Sequence, residues 1–257
     1  MQLQTKKILV VVKAYPNPSR KHVETVCCAG LDLNTGQWIR LYPVPFRLLQ
    51  DEKKFKKYSV IQVGCHKAAD DHRPESYKVD TGTIKVLETI DTSDKWERRK
   101  ELIMPALAES MCRVCQLGEE KKKSLALVRP VDIGFEWQDA KLEEVVEEKQ
   151  DSYKQLSFTH VEIKPIEKIP YDFYYTFKCT EDRCLGHRML IIDWEINQAF
   201  RQWRHKYKPE SVLLEKIKEK WLQTMCQKAD PYFFVGNMHR FPKTFMVLGT
   251  FYPPKSY

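Results

Sequence analysis

Over the first 90 residues the apolar positions fall in short runs separated by proline, glycine and asparagine, and helical spacing takes over only later. Residues 7–15 are a valine-rich apolar run that predicts a buried strand. Pro16-Asn17-Pro18-Ser19 reads as a turn that cannot continue a ladder. An extended pattern resumes over 23–32 and ends in Asn34-Thr35-Gly36, a hairpin signal. Residues 37–42 return from it and are stopped by Pro43 and Pro45. Residues 46–50 suit one helical turn, and 58–65 and 83–87 suit two further strands. This many short strands between marked turns predicts a small barrel or sandwich.

Trp96, Leu102, Ile103 and Leu107 fit one face of a helix over 94–107, with Ser93 as its N-cap. Residues 124–128 and 133–137 read as strands on either side of Arg129-Pro130, a second small β unit. The acidic stretch 142–151 suits a connector or a short helix and is the softest boundary in the chain. It divides a β-rich region, 1–150, from an α+β region, 151–257. In the latter, 161–169 and 171–178 flank Pro170 as strands. Ile191, Trp194, Ile196, Phe200 and Trp203 predict a helix over 187–207, and a second follows over 212–227. Strands over 232–235 and 245–251 close an α+β chain without internal repeats.

At 257 residues the chain is long enough to bury a substantial core. No apolar stretch approaches the ~20 residues of a membrane-spanning helix. The run after Lys7 is too short for a signal peptide, so a cytoplasmic protein with no membrane partner is expected. Forty-three Lys and Arg against 35 Asp and Glu give a net charge of +8, which favours polyanionic partners. The charge is uneven: residues 1–21 hold five bases and no acid, whereas 136–151 hold seven acids and two bases. The eight cysteines of a chain read as cytoplasmic are expected free or metal-bound rather than paired. Cys27, Cys28, Cys65 and Cys226 sit in apolar or mixed surroundings and read as packing residues.

The sharpest chemical motif is Cys179-Thr-Glu-Asp-Arg-Cys184-Leu-Gly-His187. Two thiolates and an imidazole in one turn, leaving a strand and entering a helix, suit a tetrahedral zinc ion, and Gly186 lets the backbone fold tightly around it. Cys226, His239 or one of Cys112 and Cys115 can supply the fourth ligand, whereas a water there leaves a catalytic opening. Cys112-Arg-Val-Cys115 has metal-ligand spacing but no second half of its own, and reads as two ordinary cysteines. Asp193 and Glu195 beside His187 are the acids that a metal-dependent nuclease or phosphodiesterase needs, with His187, Asp193 and Glu195 as its catalytic set. The plainer alternative makes one acid an orienter of His187 and the other a helix-terminal charge.

Arg20, Lys21, Arg40 and Arg47 lie in sequence beside Trp38 and Tyr42. Basic and aromatic residues mixed on a small β unit are what single-stranded DNA or RNA uses for phosphate neutralisation and base stacking. Arg73 and Lys78 extend the patch, although Trp38 at a strand position reads equally as core. No phosphate-binding glycine loop, dinucleotide fingerprint, serine-hydrolase elbow or HExxH is present.

Asn17-Pro-Ser-Arg-Lys-His22, Val26-Cys-Cys-Ala-Gly-Leu-Asp32 and Gln37-Trp-Ile-Arg-Leu-Tyr42 resemble the opening of the dual-OB domain proteins, a prokaryotic group discussed with conflict and stress systems. The later pattern, from Arg40 to Arg47 and Arg73 to Tyr77 through to Cys179, Cys184 and His187, is similar to uncharacterised bacterial proteins. The resemblance implies small OB-like barrels and nucleic-acid contact, and brings no catalytic residues. The expected whole is α+β: OB-like β units, then a helical and β module carrying a Cys/His metal site. The expected function is a nucleic-acid-binding protein with structural zinc, in a defence or stress pathway. A zinc-stabilised module for a protein partner is the remaining alternative.

Overall fold

A computed structural model describes residues 3–15, 17–19, 23–140 and 169–255. Five strands close into an N-terminal barrel: β1 (Gln4–Lys13), β3 (Val23–Asp32), β4 (Trp38–Val44), β5 (Ser59–Lys67) and β6 (Ser76–Thr89). The order is β1-β5-β6-β4-β3, and β3 pairs back to β1; β2 (Asn17–Ser19) lies on the edge of β3. All pairings within the barrel are antiparallel except β4 with β6, which meet at Arg40↔Ser76 and Leu41↔Tyr77. Among the described residues, closure leaves only the short β2 as an added edge.

The run Ile8-Leu9-Val10-Val11-Val12 shows why the first strand reads as continuously apolar. Ile8 and Val10 point into the barrel with Val26, Ile39, Leu41, Ile61 and Val63. Leu9, Val11 and Val12 point outward against Leu127, Phe234, Leu248 and Phe251 of the C-terminal part. All five are fully buried, so both faces of the strand pack in core. Gly30 is required where β3 crosses β1, because a Cβ there would stand 2.1 Å from the Leu9 carbonyl oxygen.

Among its described residues the C-terminal part holds two three-stranded sheets. β7 (Leu125–Val128), β11 (Tyr232–Asn237) and β12 (Phe245–Phe251) form the sheet that packs on the barrel, in the order β12-β11-β7. β8 (Val131–Asp139), β9 (Tyr171–Lys178) and β10 (His187–Leu190) form the other, in the order β10-β9-β8. Tyr175 of β9 stacks on Phe233 of β11 with ring centroids 4.4 Å apart, joining the sheets through an aromatic core. Among the described residues the α-helices are α1 (Ser93–Ile103), α2 (Met111–Glu119), α3 (Trp194–Trp203) and α4 (Glu210–Lys218), the last continuing as wide π turns over Glu219–Gln227. The Trp221 carbonyl accepts from Tyr175 Oη and Cys226 Sγ, which ties that widened segment to β9. Among the described residues no helix is long and apolar enough to cross a membrane.

Several expectations change. Asn17–Ser19 is an edge strand, since pairing on one side only tolerates Pro18. Pro43 does not end β4, which runs to Val44. Ser93 is not an N-cap: its amide and hydroxyl both donate to Asp91, and left-handed Asp94, Lys95 and Trp96 follow before regular helix begins. Residues 187–190 are a strand, and the helix starts only at Trp194, where Asp193 accepts from the Glu195 amide. The two strands around Arg129-Pro130 separate into different sheets: β7 pairs with β11 and β8 with β9. The expected division at residue 150, the acidic stretch and nearly all of the strand over 161–169 lie outside the described residues.

Candidate functional site

The hairpin between β9 and β10 and the first turn of α2 bring four ligand atoms together. Cys179 follows the last residue of β9, Cys184 sits in the connecting loop, and His187 opens β10 opposite Phe177. Gly186, with φ of 99°, makes the turn between Cys184 and His187. Cys112 comes from the N-terminal turn of α2, which Ser110 caps by accepting from the Arg113 amide at 2.9 Å. The loop is tied to that cap: Ser110 donates to Glu181, and Thr180 donates to the Glu109 carbonyl.

Cys112 Sγ lies 3.5 Å from Cys179 Sγ and 3.6 Å from His187 Nε2, and Cys184 Sγ lies 3.3 Å from His187 Nε2. All four ligand atoms are within 4.8 Å of one another. A tetrahedral zinc ion bound at ordinary lengths separates two sulfurs by about 3.7 Å and a sulfur from a nitrogen by about 3.5 Å. These three edges are close to those separations. The Cys179 amide donates to Cys184 Sγ at 3.4 Å, which holds that sulfur in the turn. Burial opposes the Cys179 thiolate, yet the Glu181 amide and His187 outweigh it and lower its pKa. Cys112 sits at the helix N-terminus, but burial and the neighbouring thiols of Cys179 and Cys184 push its own thiol up to about 12. Four such protein ligands would fill the tetrahedron of a zinc ion and leave no open position.

The sequence left the fourth ligand open and set the Cys112-Cys115 pair aside; the structure selects Cys112. Cys115 stays outside the group, with its thiol pushed up to about 11 by burial. Cys226 donates within the π segment, and His239 lies elsewhere, beside Asp71 and His72. The motif enters a strand, and the sheet rather than a helix fixes His187.

His187, Asp193 and Glu195 do not form one ligand group. Asp193 is buried and takes Lys57 Nζ at 2.7 Å, while Glu195 meets the same ammonium at 3.3 Å. Burial raises the Asp193 carboxyl to about 6 against the pull of Lys57. These acids anchor the start of α3 to Lys57, which precedes β5, and neither orients the imidazole.

A second site lies where the barrel meets the β7-β11-β12 sheet, as a cavity of about 590 Å³. The barrel contributes Tyr15 after β1, Thr25 and Cys27 of β3, Tyr42 of β4 and the loop from Ala68 to Arg73. The other wall is Asn237 to Arg240, at the end of β11, with Met246 and Leu248 of β12. A polar seam crosses it. Arg40 donates to the Ser124 carbonyl and hydroxyl, and the Asn237 amide donates to that same carbonyl. Arg73 forks onto Asp71 and reaches the Asn237 carbonyl at 3.1 Å. Burial works against ionised Asp71, but the bonds it accepts from the Arg73 guanidinium and amide hold the carboxyl well below the ordinary range. The His72 and His239 rings stand 4.9 Å apart beside it.

Of the expected nucleic-acid residues, Tyr42 lines this cavity and is 43% exposed. Arg40 also lines it but is 3% exposed and belongs to the seam, so its charge is not offered to phosphate. Trp38 packs edge-on against Phe234 at 6.1 Å, as core. Arg47 lies in the 3₁₀ turn Phe46–Leu48, outside the cavity lining. Arg20 and Lys21 lie outside the described residues. Asn237 and Arg240 were not singled out by the sequence, since nothing local marks residues whose neighbours are some 160 positions away.

Two family models cover the chain: Domain of unknown function (DUF8758) over residues 4–105 and Domain of unknown function (DUF8757) over residues 107–257. The second spans more than half of the chain, which therefore belongs to the DUF8757 family. No curated protein matches it. The closed five-stranded barrel is compatible with the OB-like fold that the resemblance implies.

Proposed function

We propose that this protein binds single-stranded nucleic acid on one face of its N-terminal barrel, and that a structural zinc ion on Cys112, Cys179, Cys184 and His187 holds its C-terminal part. The binding reading rests on one observation. Counted along the barrel, the second and third strands and the loops after the first and fourth strands line the same cavity, through Thr25, Cys27, Tyr42, Tyr15 and the segment from Ala68 to Arg73. Those strands and loops are the surface on which OB-folds take oligonucleotides and oligosaccharides. Tyrosines for stacking and the exposed cation Arg240 favour the nucleic acid of these two, while Lys78 is paired with Asp70 at 2.7 Å. Zinc is supported by the ligand set, three sulfurs and one nitrogen at tetrahedral spacing, which is a structural rather than a catalytic composition.

The test is binding of fluorescent single-stranded DNA and RNA 20-mers across a salt series. The expected result is affinity that falls steeply and linearly on logarithmic axes as phosphate contacts give up counterions. No binding of either strand at 50 mM salt would overturn the nucleic-acid reading.

A further inference from the structure

Besides the Cys112 group, one further set of metal-ligating side chains converges among the described residues: Asp71, His72 and His239, whose ligand atoms all lie within 4.8 Å of one another. Asp71 and His72 belong to the loop that joins β5 to β6 of the barrel, and His239 to the connection that joins β11 to β12. The set therefore spans the two regions of the chain that separate family models cover. The imidazole rings stand 4.9 Å apart, and His239 Nε2 lies 3.9 Å from Asp71 Oδ1. A tetrahedral ion at ordinary lengths separates a nitrogen ligand from an oxygen ligand by about 3.3 Å. The His239 side chain is 49% exposed, with room to close that edge.

The chemistry of each group suits ligation. Asp71 Oδ1 accepts from the Arg73 amide and from Arg73 Nε at 3.0 Å each, and Oδ2 accepts from Arg73 Nη2 at 2.7 Å. Three N–H donors fill at most three of the roughly four lone-pair sites of a carboxylate, so one is left for an ion. The same pairing keeps Asp71 ionised and fixes its plane, as outer hydrogen bonds do for ligating carboxylates. Neither imidazole has a hydrogen-bond partner among the described residues, and both rings are exposed. Partial burial and then His239, joined by Lys121 and Arg73, lower the His72 pKa against the pull of Asp71, which favours the neutral ring that binds metal.

We infer that Asp71, His72 and His239 bind a divalent ion of the zinc, nickel and cobalt class at the edge of the cavity, with ligands from both parts of the chain. Two imidazoles select such ions over magnesium and calcium, which take oxygen ligands. Three protein ligands leave at least one position for water or for an oxygen of an anion, unlike the four of the Cys112 group. Asp71 and His239 both line the cavity, so an anion held there can reach that position. The site stands independently of the nucleic-acid reading and of zinc at the cysteines.

The experiment is equilibrium dialysis of the full chain, carrying no affinity tag, against micromolar nickel chloride, with nickel and zinc counted separately by elemental mass spectrometry. Nickel is the probe because its mass distinguishes it from zinc held by the cysteines. The expected result is about one nickel per chain with the zinc content unchanged. His72→Ala from the barrel side and His239→Ala from the other, both at exposed positions and shown folded by circular dichroism, are each expected to bind nickel at least about tenfold more weakly. Absence of nickel from the parent, nickel bound equally by either variant, or nickel gained only as zinc is lost would overturn the inference. The parent count does not depend on a variant folding, and the zinc count in the same sample reports the cysteine site separately.

Discussion

Cys112 Sγ lies 3.6 Å from Nε2 of His187, although 75 positions separate them in sequence. The contact joins the start of α2 to the start of β10, and it completes the Cys179-Cys184-His187 motif from another element. The neighbouring Cys115 does not take part. Cys112→Ser and Cys184→Ser are therefore expected to lose bound zinc and to melt well below the parent, since the binding energy of a structural site is folding energy. Cys115→Ser is expected to keep a full complement of zinc. Elemental mass spectrometry beside a thermal melt checks all three; zinc loss in Cys115→Ser with retention in Cys112→Ser would contradict the assigned ligands.

Lys57 is the sole basic side chain bridging Asp193 and Glu195 among the ion pairs of the described residues, and its own side chain is 8% exposed. Removing it leaves Asp193 buried without its counter-charge. Lys57→Met is expected to destabilise the protein by about 3–5 kcal/mol, and Lys57→Met with Asp193→Asn by less than Lys57→Met alone. Urea unfolding of the three chains measures this. A double variant no more stable than Lys57→Met would show that the charge left unpaired is not the cause.

Lys13 packs its ammonium 3.5 Å from the Phe46 ring centroid and 4.9 Å from that of Trp194. Burial lowers its pKa to about 8. Between pH 8 and about 10.5 the unfolded chain holds this proton more readily than the folded one, so the Lys13 contribution to stability rises with pH across that window. The parent is expected to gain up to about 3 kcal/mol relative to Lys13→Met over that range. The difference between the two chains cancels the other groups that titrate there, and a pH-independent difference would refute the shift.

Phe241 is 58% exposed in the connection after β11, next to Arg240 of the cavity. Tyr42 stands on the opposite, barrel side. Each offers a ring for stacking, so Phe241→Ala and Tyr42→Ala are each expected to weaken single-strand binding by about 1–3 kcal/mol with little change in the salt slope. Anisotropy titrations at two salt concentrations separate these effects, and unchanged affinity in both variants would move the binding surface elsewhere.

The barrel was legible in the sequence because its signals are local. The Asn34-Thr35-Gly36 hairpin, the valine run and the 3₁₀ turn at Phe46–Leu48 each depend on neighbours a few residues apart. The edge strand at Asn17–Ser19 was not, because a single-sided pairing hides behind two prolines. At 187–207 the apolar residues satisfied helical spacing, yet His187–Leu190 pairs with β9 and the Asp193 cap delays the helix to Trp194. Three of the four clustered ligands were visible as one motif; Cys112 needed the fold. Arg40 looked like a phosphate ligand beside Tyr42, and only tertiary structure reveals that Ser124, 84 positions away, holds it.

The most direct measurement of strand binding at the seam is photocrosslinking of a bromouridine-substituted single strand to the intact chain, followed by peptide mass spectrometry. Crosslinks are predicted in the peptides that contain Tyr42, Tyr77 and His239 to Phe241, and added salt is predicted to suppress them. Crosslinks confined to peptides remote from the cavity, or none at low salt, would contradict the account.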